Sequence, residues 1–138
     1  MSYYIRYATT DNCTPTLEEL GKGLTAADPR YEIDGDVIVF DDEDYGLIEI
    51  NKLGDGTFED DIDLLQSFAA EKKNKQSLLA VLHGCKSMVT VQPIWEDRDE
   101  DATLSVLKPL WNWLYANHPG LLIGEGGDFI TENDELIE

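Results

Sequence analysis

Four consecutive acids, Asp41-Asp42-Glu43-Asp44, form the densest group of chemically active side chains in the sequence. Several carboxylate oxygens in one place are what a hard cation takes. Four successive residues cannot all face one point, however, and the spacing of a calcium loop is missing, so a solvated turn between strands is the favoured reading. A second run, Asp97-Arg98-Asp99-Glu100-Asp101, opens like an EF-hand loop. It then departs from one, with Ala102 where the sharp turn needs glycine and Lys108 where the closing bidentate glutamate belongs. A wet loop, with Asp101 or Thr103 capping the following helix, fits better.

The two histidines, His83 and His118, are candidate general bases, but no nucleophile stands at a recognised spacing from either. Both fall at expected helix C-termini, where an imidazolium suits the helix dipole. Cys85 beside Lys86 is a candidate low-pKa thiol, yet Gly84 separates it from His83 and ends a helix there, so the two side chains are not forced together. Gly124-Glu125-Gly126-Gly127 lacks the lysine and the following helix of a phosphate loop, and its acids repel phosphate, which leaves a hairpin turn. Of the three tryptophans, Trp111 belongs to a helical core stripe and Trp113 lies about 200° around the same helix. Trp95 sits beside the second acidic run; exposed and rimmed by carboxylates it would be a binding hot spot, but partly buried packing is the default reading.

The charge balance narrows the function classes. There are 29 acids against 10 bases, a formal charge of −19 and a pI near 4.1. Direct binding to nucleic acid or an anionic membrane is disfavoured, because the signs match. Residues 28 to 63 hold 14 acids against Arg30 and Lys52, a net of −12, so much of the excess surrounds the first acidic run. No apolar run reaches the ~20 residues of a membrane helix, and the start of the sequence lacks a signal-peptide layout, so a cytoplasmic location with reduced Cys13 and Cys85 is expected.

The elements that position these residues follow from period and punctuation. Tyr3 to Ala8 alternates as a strand; Thr14 and Pro15 start a helix whose apolar face is Leu17, Leu20 and Leu24, and Asp28-Pro29 stops it. Tyr31 to Asn51 reads as a three-strand antiparallel meander, with a tight turn at Asp34-Gly35, a central strand Val37 to Phe40, a polar turn from Asp41 to Gly46, and a strand from Leu47. Phe58 to Lys73 is an amphipathic helix, and Gln76 to His83 is a second. Ser87 to Ile94 is a strand that Pro93 pushes toward a sheet edge. Ala102 to Asn117 is a helix with a kink or break expected at Pro109. Leu121 to Ile123 and Phe129 to Thr131 make a final hairpin, and the acidic tail from about 132 is expected to be loose.

One α+β domain spanning residues 1–138 follows: a mostly antiparallel sheet with helices packed on one face, for which a ferredoxin-like variant is one drawing. The leading functional reading is a non-enzymatic acidic interaction domain, inhibitor- or immunity-like or regulatory, that binds a basic protein surface. The residues expected to meet that partner are Asp41, Asp42, Glu43, Asp44, Tyr45, Trp95, Asp97 and Asp99. No catalytic residue, cofactor or metal is assigned. Two alternatives are a small enzyme or ligand-binding domain with a pocket near Tyr45, Trp95 and His118, and a subunit that forms a homodimer through a strand edge or the Trp113 face.

Overall fold

Two strands with apolar residues on both faces set the architecture. The structure is a computed structural model that describes residues 3–95, 98–133 and 135–138. Strands β1 (Ile5–Thr9) and β5 (Ser87–Pro93) pair antiparallel in the middle of the sheet. On one side Ile5, Tyr7, Val89 and Val91 pack against helices α1 (Leu17–Ala27) and α4 (Glu100–Asn117). On the other, Ala8 and Met88 pack against α2 (Thr57–Ala69) and α3 (Lys75–His83). A strand buried on both faces needs helices on both, and the chain supplies two pairs.

The remaining strands are β2 (Tyr31–Asp34), β3 (Val37–Phe40), β4 (Glu43–Lys52), β6 (Gly120–Ile123), β7 (Phe129–Ile130) and β8 (Leu136–Ile137). They form one antiparallel sheet in the order β2-β3-β4-β5-β1-β6-β7-β8. Within it the path β1-α1-β4-β5-α4-β6 gives the order β4-β5-β1-β6, with both crossover helices on one face, which is the ferredoxin-like arrangement. The β2–β3 hairpin, the α2–α3 pair and the β7–β8 extension are the additions. One covered face is therefore correct for α1 and α4, whereas α2 and α3 lie on the other.

Several local expectations are corrected. Thr16, not Thr14, caps α1, its hydroxyl accepting from the Glu19 N–H at 3.1 Å, and Pro15 stays outside the helix. The first hairpin loop is Gly35-Asp36, because Asp34 already pairs with Val37; Gly35 has φ +63°, and glycine at this first loop position is what a type II′ turn requires. Helix α2 stops at Ala69 instead of Lys73, and Lys72 and Lys73 reach Asp128 and Glu138 at 3.8 and 3.7 Å. Pro93 lies in a central strand: β1 begins opposite Val91, so the missing N–H falls beyond that ladder and costs no bond there. Helix α4 begins at Glu100 and continues through Pro109, where burial of Leu107, Leu110, Trp111 and Leu114 offsets the lost backbone bond. The acidic tail, expected to be loose, carries β8, which pairs with β7, while Asn74 binds the Glu138 carbonyl through its N–H at 2.8 Å and its side-chain amide at 2.7 Å.

Candidate functional site

The first acidic run makes a tighter turn than its composition predicts. Only Asp41 and Asp42 are loop residues, and Glu43 and Asp44 already belong to β4. Both loop residues have positive φ, 52° and 64°, the paired left-handed conformation of a type I′ hairpin. Asp-Asp is unusual there, but aspartate tolerates the left-handed region better than most residues. Asp41 N–H donates to the Arg30 carbonyl at 2.9 Å, which ties the turn to the chain entering β2. All four carboxylate residues are exposed.

Beside the turn, β4 carries a bulge. Val39 pairs with Asp44 and Ile38 with Gly46, so Tyr45 has no partner on β3. An extra residue re-aims its side chain, and Tyr45 joins Phe40 on the α4 side, with ring centroids 5.9 Å apart. The Arg98 guanidinium stacks over Tyr45 at 3.6 Å. It also donates to the carbonyls of Ile94 at 2.7 Å and Asp44 at 3.1 Å, and lies 3.8 Å from the Glu43 carboxylate. On the far side, Arg30 stacks on Phe40 at 4.6 Å and is held by Asp28 at 2.8 Å. The charge around the turn is thus partly offset by two arginines whose roles are structural. Arg98→Ala is expected to lower stability by about 1–2 kcal/mol, through the lost carbonyl bonds and ring stacking. Lysine should not restore it, since it lacks the planar fork. Thermal unfolding of both variants checks this, and an unchanged Tm for Arg98→Ala would mean the corner holds without it.

The other expected partner-binding residues divide. Trp95 is half-buried and packs edge-on against Tyr3 at 4.7 Å. Asp99 is the N-cap of α4, in place of Asp101 or Thr103, and its carboxylate accepts from the Ala102 N–H at 3.3 Å. Asp97 lies outside the described residues. Glu43, Asp44, Tyr45 and the Trp95 loop are joined through Arg98 and through the Ile94 N–H, which donates to the Tyr45 carbonyl at 2.9 Å.

His118 does not join them. It follows the C-terminus of α4, whereas Trp95 precedes its N-terminus, and 18 helical residues put about 27 Å between those ends. The pocket expected near Tyr45, Trp95 and His118 is therefore not formed. His118 is buried between two carboxylates, with Asp11 on Nδ1 at 2.8 Å and Glu19 on Nε2. Burial opposes the charged ring, but the hydrogen bonds and charges of Glu19 and Asp11 outweigh it and hold its pKa above the ordinary value. Sequence reasoning missed Asp11 and Glu19, which lie 107 and 99 positions away and carry no local signal. Trp113 covers Gly23 of α1 and packs against His118 with centroids 5.6 Å apart, so that face is used within the chain.

The remaining candidates are placed without chemistry. His83 is exposed; Cys85 is buried, donates to the Val81 carbonyl at 3.3 Å, and burial pushes its thiol up to about 12 despite the charge of Lys86. Among the described residues, no group of three or more His, Cys, Asp or Glu side chains could hold a metal ion, and no helix is long and apolar enough to cross a membrane. The chain matches no known family model, no curated protein and no solved structure.

Proposed function

We propose that the protein is an acidic, non-enzymatic interaction domain, inhibitor- or immunity-like or regulatory, acting in the cytoplasm on a basic protein surface. The observation that carries this reading is the β3–β4 hairpin, which displays the exposed carboxylates of Asp41, Asp42, Glu43 and Asp44 from a rigid two-residue turn. A fixed turn loses little conformational freedom on binding, and a molecule of net charge −19 attracts a cationic partner over roughly the Debye length of ~8 Å before contact. Arg98 is committed to main-chain carbonyls and to Glu43, and Arg30 to Asp28, which leaves the carboxylates of Asp41, Asp42 and Asp44 to an incoming lysine or arginine.

Affinity capture from the native lysate at low and at moderate salt tests it. A basic protein is expected to be retained at low salt and released as salt screens the contact. The fourfold variant Asp41→Asn, Asp42→Asn, Glu43→Gln, Asp44→Asn keeps residues that accept the left-handed turn and should retain at least about tenfold less. Equal retention by the variant, or no basic protein at either salt, overturns the assignment of the turn.

A further inference from the structure

Four buried side-chain polar atoms among the described residues have no hydrogen-bond partner, and three of them, Arg6 Nε, Asn51 Nδ2 and Thr90 Oγ1, lie on one face of three adjacent strands. That face carries α2 and α3, which pack on Ala8, Met88, Leu121 and Ile123, and α2 also contacts β4. Arg6, Thr90 and Glu49 form a cross-strand file there, and Gln92 pairs with Leu47 in the next. The open part is a recess of about 470 Å³ lined by Tyr4, Leu47, Glu49, Thr90 and Gln92 on this face and continuing around the β4 edge past Asp36 to Ile50 and to Leu17 of α1. Thr90 is 9% exposed and Leu47 is 40% exposed. Native proteins seldom leave buried donors and acceptors unpaired, and Thr90, the one of the three that lines the recess, marks an unfinished surface there.

The recess also meets an unfinished edge. Strand β4 runs to Lys52, but its β3 partner begins at Val37, opposite Leu47. The last bond across that edge is from the Ile48 N–H to the Asp36 carbonyl at 2.8 Å. Alternation along the strand turns the N–H and C=O of Ile50 to the same side, while the Lys52 N–H is taken by the Asp55 carboxylate at 2.9 Å. Charge selects the occupant. Asp36 and Glu49 line the recess and no lysine or arginine does, while the nearby Asp61 of α2 lies 3.6 Å from Arg6 Nε, too far for a hydrogen bond. Burial holds the Asp61 carboxyl above its ordinary pKa, opposed by the Arg6 charge and reinforced by Glu49 and Asp60.

We propose that this recess docks an extended basic segment of a protein partner, which adds beside β4 at Ile50 as a strand and brings a lysine or arginine to Glu49 and Asp36. The inference rests on the acidic-interaction reading and adds to the hairpin turn a second contact on the open sheet face. Main-chain bonds to Ile50 give the segment its direction, and alternate side chains meet Leu47 and Glu49.

The test is a 15N NMR titration of the full chain with an acetylated hexapeptide of alternating lysine and valine at physiological salt. Saturable shifts are expected at residues 4–6, 47–50 and 90–92. Glu49→Gln should weaken binding roughly fivefold, the fourfold turn variant should not change it, and N-methylation of alternate peptide amides should abolish it. Shifts confined to residues 41–44 overturn this proposal and leave the turn as the contact. Shifts spread evenly over every acidic segment overturn both readings. No saturable shift anywhere overturns the recess alone, and the turn is then judged by the salt-dependent capture.

Discussion

Gly120→Ala is expected to lower stability by about 3 kcal/mol, at the upper end for an overpacked core position. A Cβ at residue 120 would stand 2.2 Å from the Ala8 carbonyl oxygen and 2.7 Å from Tyr7 Cε1. Neither neighbour can give way. Ala8 lies in β1, paired on both edges, and the Tyr7 hydroxyl is fixed to the His118 carbonyl at 2.6 Å. The preceding residue is held as well, since the Pro119 carbonyl accepts from the Thr10 N–H at 2.8 Å and from its hydroxyl at 3.1 Å. A domain of this kind has only about 5–15 kcal/mol in total, so the loss should be plain in a urea unfolding midpoint. Gly84→Ala is the control, because a Cβ there meets nothing closer than 3.5 Å. Equal midpoints for the two variants would refute the argument.

His118→Ala should cost about 2–3 kcal/mol and carry a distinctive pH dependence. Removing one member of a buried ion group strands the others, and here Asp11 already has one buried oxygen unpartnered. The figure is kept below the full buried-pair value because the Glu19 side chain is 41% exposed. The folded-state pKa of His118 lies above the unfolded value of 6.5. Its stabilisation is therefore fully present below about pH 6.5 and is lost as pH rises through the folded pKa. Denaturant unfolding of wild type and His118→Gln across neutral and mildly alkaline pH should give curves that converge upward in pH. Curves that diverge instead would show that the imidazolium is not what holds Asp11 and Glu19.

How much of this was legible in the sequence depended on the range of each cue. The helix beginning near Phe58 and the strand Val37 to Phe40 follow from period and punctuation within a few residues, and both stand. The β4 bulge at Tyr45 has no local signature, since an extra residue shows only when two strands are laid side by side. The Asp41-Asp42 turn was hidden by the habit of reading left-handed pairs from glycine and asparagine. Which face α2 and α3 would cover was not encoded in their stripes, because an amphipathic helix specifies an apolar contact and not which side of the sheet supplies it. His118 was legible as a helix-end residue only, as its partners come from the β1–α1 connection and from α1.

The place of β1 between β5 and β6 has a consequence for synthesis. The Tyr7 hydroxyl and the His118 carbonyl that it binds are 111 positions apart in the chain. At roughly 5–20 residues per second, on the order of ten seconds pass on the ribosome between making the two. During that interval Tyr7 and Ala8, both fully buried in the finished fold, have no β5 or β6 beside them. The β2–β3–β4 meander, by contrast, needs only strands made close together in time, so its pairing is expected to form before the first strand finds its neighbours.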